Sequence, residues 1–330
     1  MTNDLVTVGE PDAAARLSTL FARIALVAAA LTFVVIVASA FMRHTQVGLS
    51  CADWPACYGR IDANVADASP STSVRIVRIA HRIAATGVLA LIIGLLLIAW
   101  TQKPAWKREG TLAIVALLLA AALAVLGIVT PGAKLPAVTL GNLLGGYLML
   151  AVLAATAATA NRGVVAWRGW MPSAQLTWVA LAVLALVFVQ AAVGGSIGAQ
   201  YALTACPTLG KCPGFPLDEL RMTAALDPFR PLTIIDGRVV PPSNAAVVHV
   251  IHRTLGLIVP VFTLLLARAV RSSDRQSSSM LIALALATPL AGAAAVATAP
   301  SLPLTVLHNG LAALLVAALG ATAARTWSAP

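Results

Sequence analysis

Eight apolar stretches recur along this chain, each long enough to cross a bilayer: near residues 22–42, 76–100, 111–130, 137–160, 176–198, 246–268, 280–298 and 303–323. A spanning helix needs about 20 mainly apolar residues. In hydrocarbon every backbone N–H and C=O must be satisfied inside the protein, so continuous stretches of this length are expected as α-helices. Composition agrees. Of the 330 residues, 59% are hydrophobic and 10% charged, where soluble domains carry about 25% charged residues. The sequence thus predicts an all-α membrane protein with eight transmembrane helices. Pro300 and Pro303 leave only a very short hairpin between the last two. The first stretch is about twice the length of a signal-peptide core and lacks a convincing cleavage site, so it reads as a span.

Basic residues set the orientation. With the N-terminus inside, the inner segments hold Arg16, Arg23, Lys103, Lys107, Arg108, Arg162, Arg168, Arg268, Arg271, Arg275 and Arg325. The outer loops hold fewer cations over more residues, and Arg75, Arg78, Arg82 and Arg253 fall at outer helix ends. Both termini are therefore expected in the cytoplasm. The net charge of +10 then calls for no nucleic acid, because basic inner loops facing anionic lipid account for it.

All four cysteines fall on the outer side, as Cys51 and Cys57 in the first outer loop and Cys206 and Cys212 in the third. An oxidising compartment favours disulfides there. A four-cysteine zinc site spanning the two loops, without the usual C-x2-C spacing, and free thiols are the alternatives.

The matching spacing points to an internal duplication. "CADWPAC" precedes "RIAHRIAATGVLALIIGLLL", and "CPTLGKC" precedes "HVIHRTLGLIVPVFTLLL". "LPAVTLGNLLGG" in span 4 likewise matches "LPLTVLHNGLAA" in span 8, which sets Asn142 opposite His308. Two four-helix bundles related by a pseudo-twofold axis along the membrane normal follow. Residues 1–21 form a cytoplasmic tail, 22–165 the N-terminal bundle and 166–330 the C-terminal bundle.

His81, His252 and His308 all open spans that run inward from the outer face, one or two turns below it. His252 and His308 come from alternate helices of one bundle. Histidines at equal depth across a four-helix bundle can serve as the axial ligands of a haem. Arg82 and Arg253 sit where propionates would emerge, and His249 is placed beside the haem or a propionate. The plainer reading has single helix-end histidines satisfied by water or headgroups and the arginines snorkelling. Equal depth, repeat symmetry and the doubled His-Arg favour the haem. His44, in "FMRHTQVG", is read as a residue of the membrane interface.

"RHTQVGLSCADWPACYG", the two "HR" openings, "LGIVTPG", "QAAVGG" and the "LH" of span 8 resemble the haem A synthase family, over residues 22–323. The resemblance implies a multi-pass inner-membrane oxidoreductase that converts the C8 methyl of haem O to the formyl of haem A for terminal oxidases. It implies haem b between His252 and His308, substrate haem near His81, and cysteine pairs that shape or redox-couple the outer loops. It also implies haem O synthase and oxidase assembly factors as partners, with a homo-oligomer left open. Two positions depart from the family pattern: Arg78 stands for a glutamate and Asn142 for a histidine. Arginine cannot act as a carboxylate base, and an asparagine is a poor iron ligand. Asp53 and Asp62 are the nearest carboxylates in the first outer loop. The competing functions are a non-catalytic haem-binding assembly or transfer protein and a b-type cytochrome passing electrons from quinol.

Overall fold

The protein is described by a computed structural model that covers residues 10–46, 49, 56–60, 71–102, 106–130, 133–160, 173–210, 212, 219–298 and 301–328. Eight of its helices are long and apolar enough to cross a membrane. They are α1 (Glu10–Gln46), α2 (Thr72–Thr101), α3 (Lys107–Val129), α4 (Pro136–Ala160), α5 (Ser173–Ala199), α6 (Ala246–Val270), α7 (Arg275–Ala297) and α8 (Leu302–Ser328). The chain is a multi-pass, all-α membrane protein. Each expected span lies within or nearly within one of these helices. The largest difference is at the start, where α1 begins at Glu10 and takes up residues expected in the tail. The expected bundle boundary near residue 165 lies outside the described residues.

Polar groups at helix ends are met locally. The Ser71 hydroxyl accepts from the Val74 N–H at 3.4 Å and caps α2. Asp274 caps α7, accepting from the N–H of Ser277 at 2.9 Å and from its hydroxyl at 2.6 Å. Arg325, near the end of α8, donates to the same carboxylate at 2.7 Å and so ties two helix ends together. Burial alone would raise the Asp274 pKa, but the bonds from Ser277 and Arg325 outweigh it and hold the carboxyl below its ordinary range. Within the spans, hydroxyls such as those of Thr32, Thr156, Thr263 and Thr322 donate to the carbonyl four residues back, which hides them from lipid.

Each helix of the first half packs on the next, and α4 returns to α1; α5 to α8 repeat the same order. The halves meet where α4 lies along α8, with α1 reaching α8 and α5 reaching α4. Close approach at this seam depends on small residues. A Cβ on Gly320 of α8 would lie 2.8 Å from the carbonyl oxygen and 3.1 Å from the Cα of Ala151 on α4. One on Gly195 of α5 would lie 2.7 Å from Leu143 of α4. With lipid as apolar as leucine, such backbone proximity and its dispersion contacts are what hold helices together. Tyr147 of α4, fully enclosed, adds a bond from its hydroxyl to the Asn309 carbonyl of α8 at 2.9 Å.

Between α5 and α6 the chain builds structure that span-counting did not anticipate. A short helix, Glu219–Leu226, leads to a hairpin of β1 (Thr233–Ile235) and β2 (Arg238–Val240). Its turn carries Asp236 and Gly237 with φ of 47° and 69°, the left-handed pair that suits a two-residue hairpin. The segment reaches over the first half. Ala137 donates to the Pro228 carbonyl and Leu232 to that of Lys134, each at 2.8 Å, and Val239 donates to Gly59 at 2.9 Å.

The seam makes a direct prediction. Gly320→Val should lower thermal stability in detergent by about 1–3 kcal/mol, because the obstacle is backbone. Gly94→Ala, where a methyl group would meet open space, should change the unfolding midpoint little.

Candidate functional site

His252 and His308 are each the seventh residue of their helix, α6 and α8, about 9 Å along it at 1.5 Å per residue. The two helices stand diagonally across the ring formed by α5 to α8. Their imidazoles face one another with ring centroids 6.1 Å apart and planes at 90°. Metal–imidazole bonds run about 2.0–2.1 Å, and the ring centre lies roughly 1.1 Å further back, so one ion between two imidazoles sets their centroids about 6.2 Å apart. The spacing fits a shared iron.

Glycines hold both rings in place. The His252 ring lies against Gly194 of α5, where a Cβ would come within 2.5 Å of its Cε1. The His308 ring lies against Gly292 of α7, where a Cβ would come within 2.9 Å. Neither cradle admits a larger residue without moving its histidine. His308 Nδ1 pairs with the Thr288 carbonyl at 2.9 Å; with the proton on Nδ1, the Nε2 lone pair is left for a ligand. Gln190 steadies α6 by donating to the His252 carbonyl at 2.9 Å. His252 Nδ1 is buried with no partner. Sequence reasoning missed the glycines, although Gly194 stands in the "QAAVGG" of span 5.

The neighbouring polar residues find partners within the protein. Arg253 turns to the cysteine loop, donating to the carbonyls of Cys206 and Leu209 at 3.1 Å and lying 3.6 Å from Cys212 Sγ. Cys206 and Cys212 are disulfide-bonded, with Cα atoms 4.7 Å apart, which removes both from the zinc and free-thiol alternatives. Closing so short a loop contributes about 2 kcal/mol by restricting the unfolded chain. Cys57 is also disulfide-bonded; its expected partner Cys51 lies outside the described residues, as do Asp53 and Asp62. His249 is buried and pairs through Nε2 with the Ala202 carbonyl at 2.8 Å, tying α6 to the turn after α5. Tyr58, next to Cys57, and Tyr201 pack with ring centroids 6.1 Å apart, and burial pushes both phenols up from their ordinary range.

His44 is a correction. Rather than being met by water or headgroups, it is enclosed by protein, 5% exposed, with neither ring nitrogen partnered. α1 runs on to Gln46, and α5 closes over its end, bringing the His44 ring to 3.6 Å from where a Gly198 Cβ would sit.

The equivalent diagonal in the first half is less complete. His81 on α2 and Asn142 on α4 are both half-buried, as is Arg78, and Arg82 is exposed. Among the described residues no hydrogen bond or ring contact joins His81 to Asn142.

Eight spans, a repeated neighbour order and one facing histidine pair define a multi-pass membrane protein with two imidazoles set against each other in its second half. A family model described as cytochrome oxidase assembly protein matches residues 22–319, and the chain belongs to that family. It is also similar to the heme A synthase of Shewanella oneidensis, at 29% identity over 305 residues, covering 87% of this chain and 91% of that protein.

Proposed function

We propose that this chain is a haem A synthase, an inner-membrane oxidoreductase that converts the C8 methyl of haem O to the formyl group of haem A during terminal oxidase assembly. The observation that carries the reading is the His252–His308 pair at 6.1 Å, in a chain that matches a curated heme A synthase over 87% of its length. In this reading the two histidines hold a resident haem b, which supplies one-electron redox chemistry when bound. Gly194 and Gly292 fix the ligand rings, and Thr288 orients His308 so that Nε2 faces inward. The halves are pseudo-twofold repeats, supported by the repeated packing order and by the matched contacts of α1 with α8 and α5 with α4. His81 receives the substrate haem in the first half, and the termini lie in the cytoplasm, as the basic inner segments favour.

Cells that make haem O, with and without this gene, provide the test. Extracted pigments should contain haem A only when the gene is present. Haem-loaded protein without haem A would instead establish a non-catalytic haem-binding assembly or transfer protein, the reading that Arg78 and Asn142 favour.

Two further outcomes are expected. Purified protein should show a low-spin haem spectrum that His252→Ala or His308→Ala abolishes. Gly194→Val or Gly292→Val should reduce it nearly as far, since each drives a ligand ring from its place. The spectrum should largely survive His81→Ala.

Asn142 generates the second. Haem titrated into the first half meets His81 on one side and no strong ligand on the other, so it should be high-spin and open to carbon monoxide. Asn142→His should close that position, giving additional low-spin haem that dissociates more slowly. If this variant gains none, Asn142 does not face the His81 pocket.

A further inference from the structure

We propose that Arg43 and His44, at the end of α1, form a carboxylate-binding site at the seam between the halves, and that it takes a propionate of the haem held by His252 and His308. The proposal rests on the haem reading above and assigns to the first half a part of the second half's site.

Three observations carry it. His44 is buried, 5% exposed, with both ring nitrogens lacking partners. A buried imidazole left unpaired on both sides is uncommon, and it points to a polar group that belongs there. Arg43, half-buried beside it, has one acceptor, the Asn309 side-chain oxygen at 3.3 Å. Among the described residues no carboxylate pairs with it, although a guanidinium taken out of water calls for an anion.

The third observation is position. Gly198, beside the His44 ring, lies one turn of α5 beyond Gly194, against which the His252 ring rests. The two imidazoles thus share one face of α5, about 6 Å apart along the axis, with His44 nearer the cysteine loops. On the other side, Arg43 bonds to Asn309, the residue that follows His308. The pair therefore lies beside the histidine diagonal, His44 toward the cysteine loops and Arg43 at the residue after His308, within reach of a propionate of a haem standing between α6 and α8. The cation expected there from sequence is engaged elsewhere, since Arg253 binds the carbonyls of Cys206 and Leu209. Arg43 offers the planar fork that suits a carboxylate, and His44 adds an N–H donor from α1.

Haem b and its dimethyl ester, which lacks the carboxylates, separate this role from a structural one. Both are titrated into the full-length, detergent-purified protein, with affinity and low-spin absorbance recorded. The wild type should prefer haem b by about tenfold or more, the worth of a hydrogen bond to a charged group. Arg43→Gln and His44→Leu should each erode that preference, and together bring it near parity, while ester affinity and the low-spin spectrum persist. Arg43→Lys, retaining charge without the fork, should fall between. Equal wild-type affinity for haem and ester, with the low-spin spectrum intact, would overturn this site alone. Equal loss of both ligands in the variants would overturn it as well, in favour of a packing role. Absence of low-spin haem from the wild type would overturn the haem reading itself, and this occupant with it.

Discussion

Water is missing from the interior of a bilayer, and the arrangement of polar groups in this protein follows from that. A histidine or arginine sunk among helices costs several kcal/mol unless the protein supplies its partner. Most buried polar side chains here meet the demand locally. Threonines donate to their own helix, His249 pairs with Ala202, and Arg253 takes two carbonyls of a disulfide loop. Among the exceptions, which include amide atoms of Gln190, Gln200 and Asn244, His44 and the Nδ1 of His252 stand close to the same diagonal. In the haem reading, their open positions are room for the bound group.

Small residues make that room possible. Where lipid offers no hydrophobic incentive for helices to associate, backbones must come close enough for dispersion to act. Gly320 does this at the seam, and Gly194 and Gly292 do it for imidazoles rather than for backbone. In the second case the glycine leaves room for an imidazole ring. It determines where a ligand nitrogen points, and a single methyl group would change that.

The second half has its diagonal of two histidines complete; the first half offers a histidine and an asparagine. Both halves share the helix order, so the difference lies in side chains rather than in fold. The loop between α5 and α6 links them further, laying its hairpin against the turns that precede α2 and α4. Chain from the second half therefore covers part of the first, and Arg43 of the first bonds to Asn309 of the second. The two halves repeat one packing order, and the seam joins them.

The eight spans, and the positions of His252 and His308 near the start of theirs, are legible in the sequence alone. These follow from local chemistry: long apolar runs have one way to satisfy their backbone in lipid, and a repeated His-Arg after a cysteine pair is visible as text. The Asp236–Gly237 pair between β-branched runs is likewise a local signal, that of a two-residue hairpin. The tertiary structure decided the rest. That Gly194 and Gly292 seat the two rings, that Arg253 serves the disulfide loop, and that His44 is enclosed at the seam are consequences of which helix face meets which. Helical periodicity in a membrane carries little of that information, because nearly every face is apolar and lipid competes equally for all of them. Only packing, through the few places where a side chain is too large to fit, selects the faces that meet.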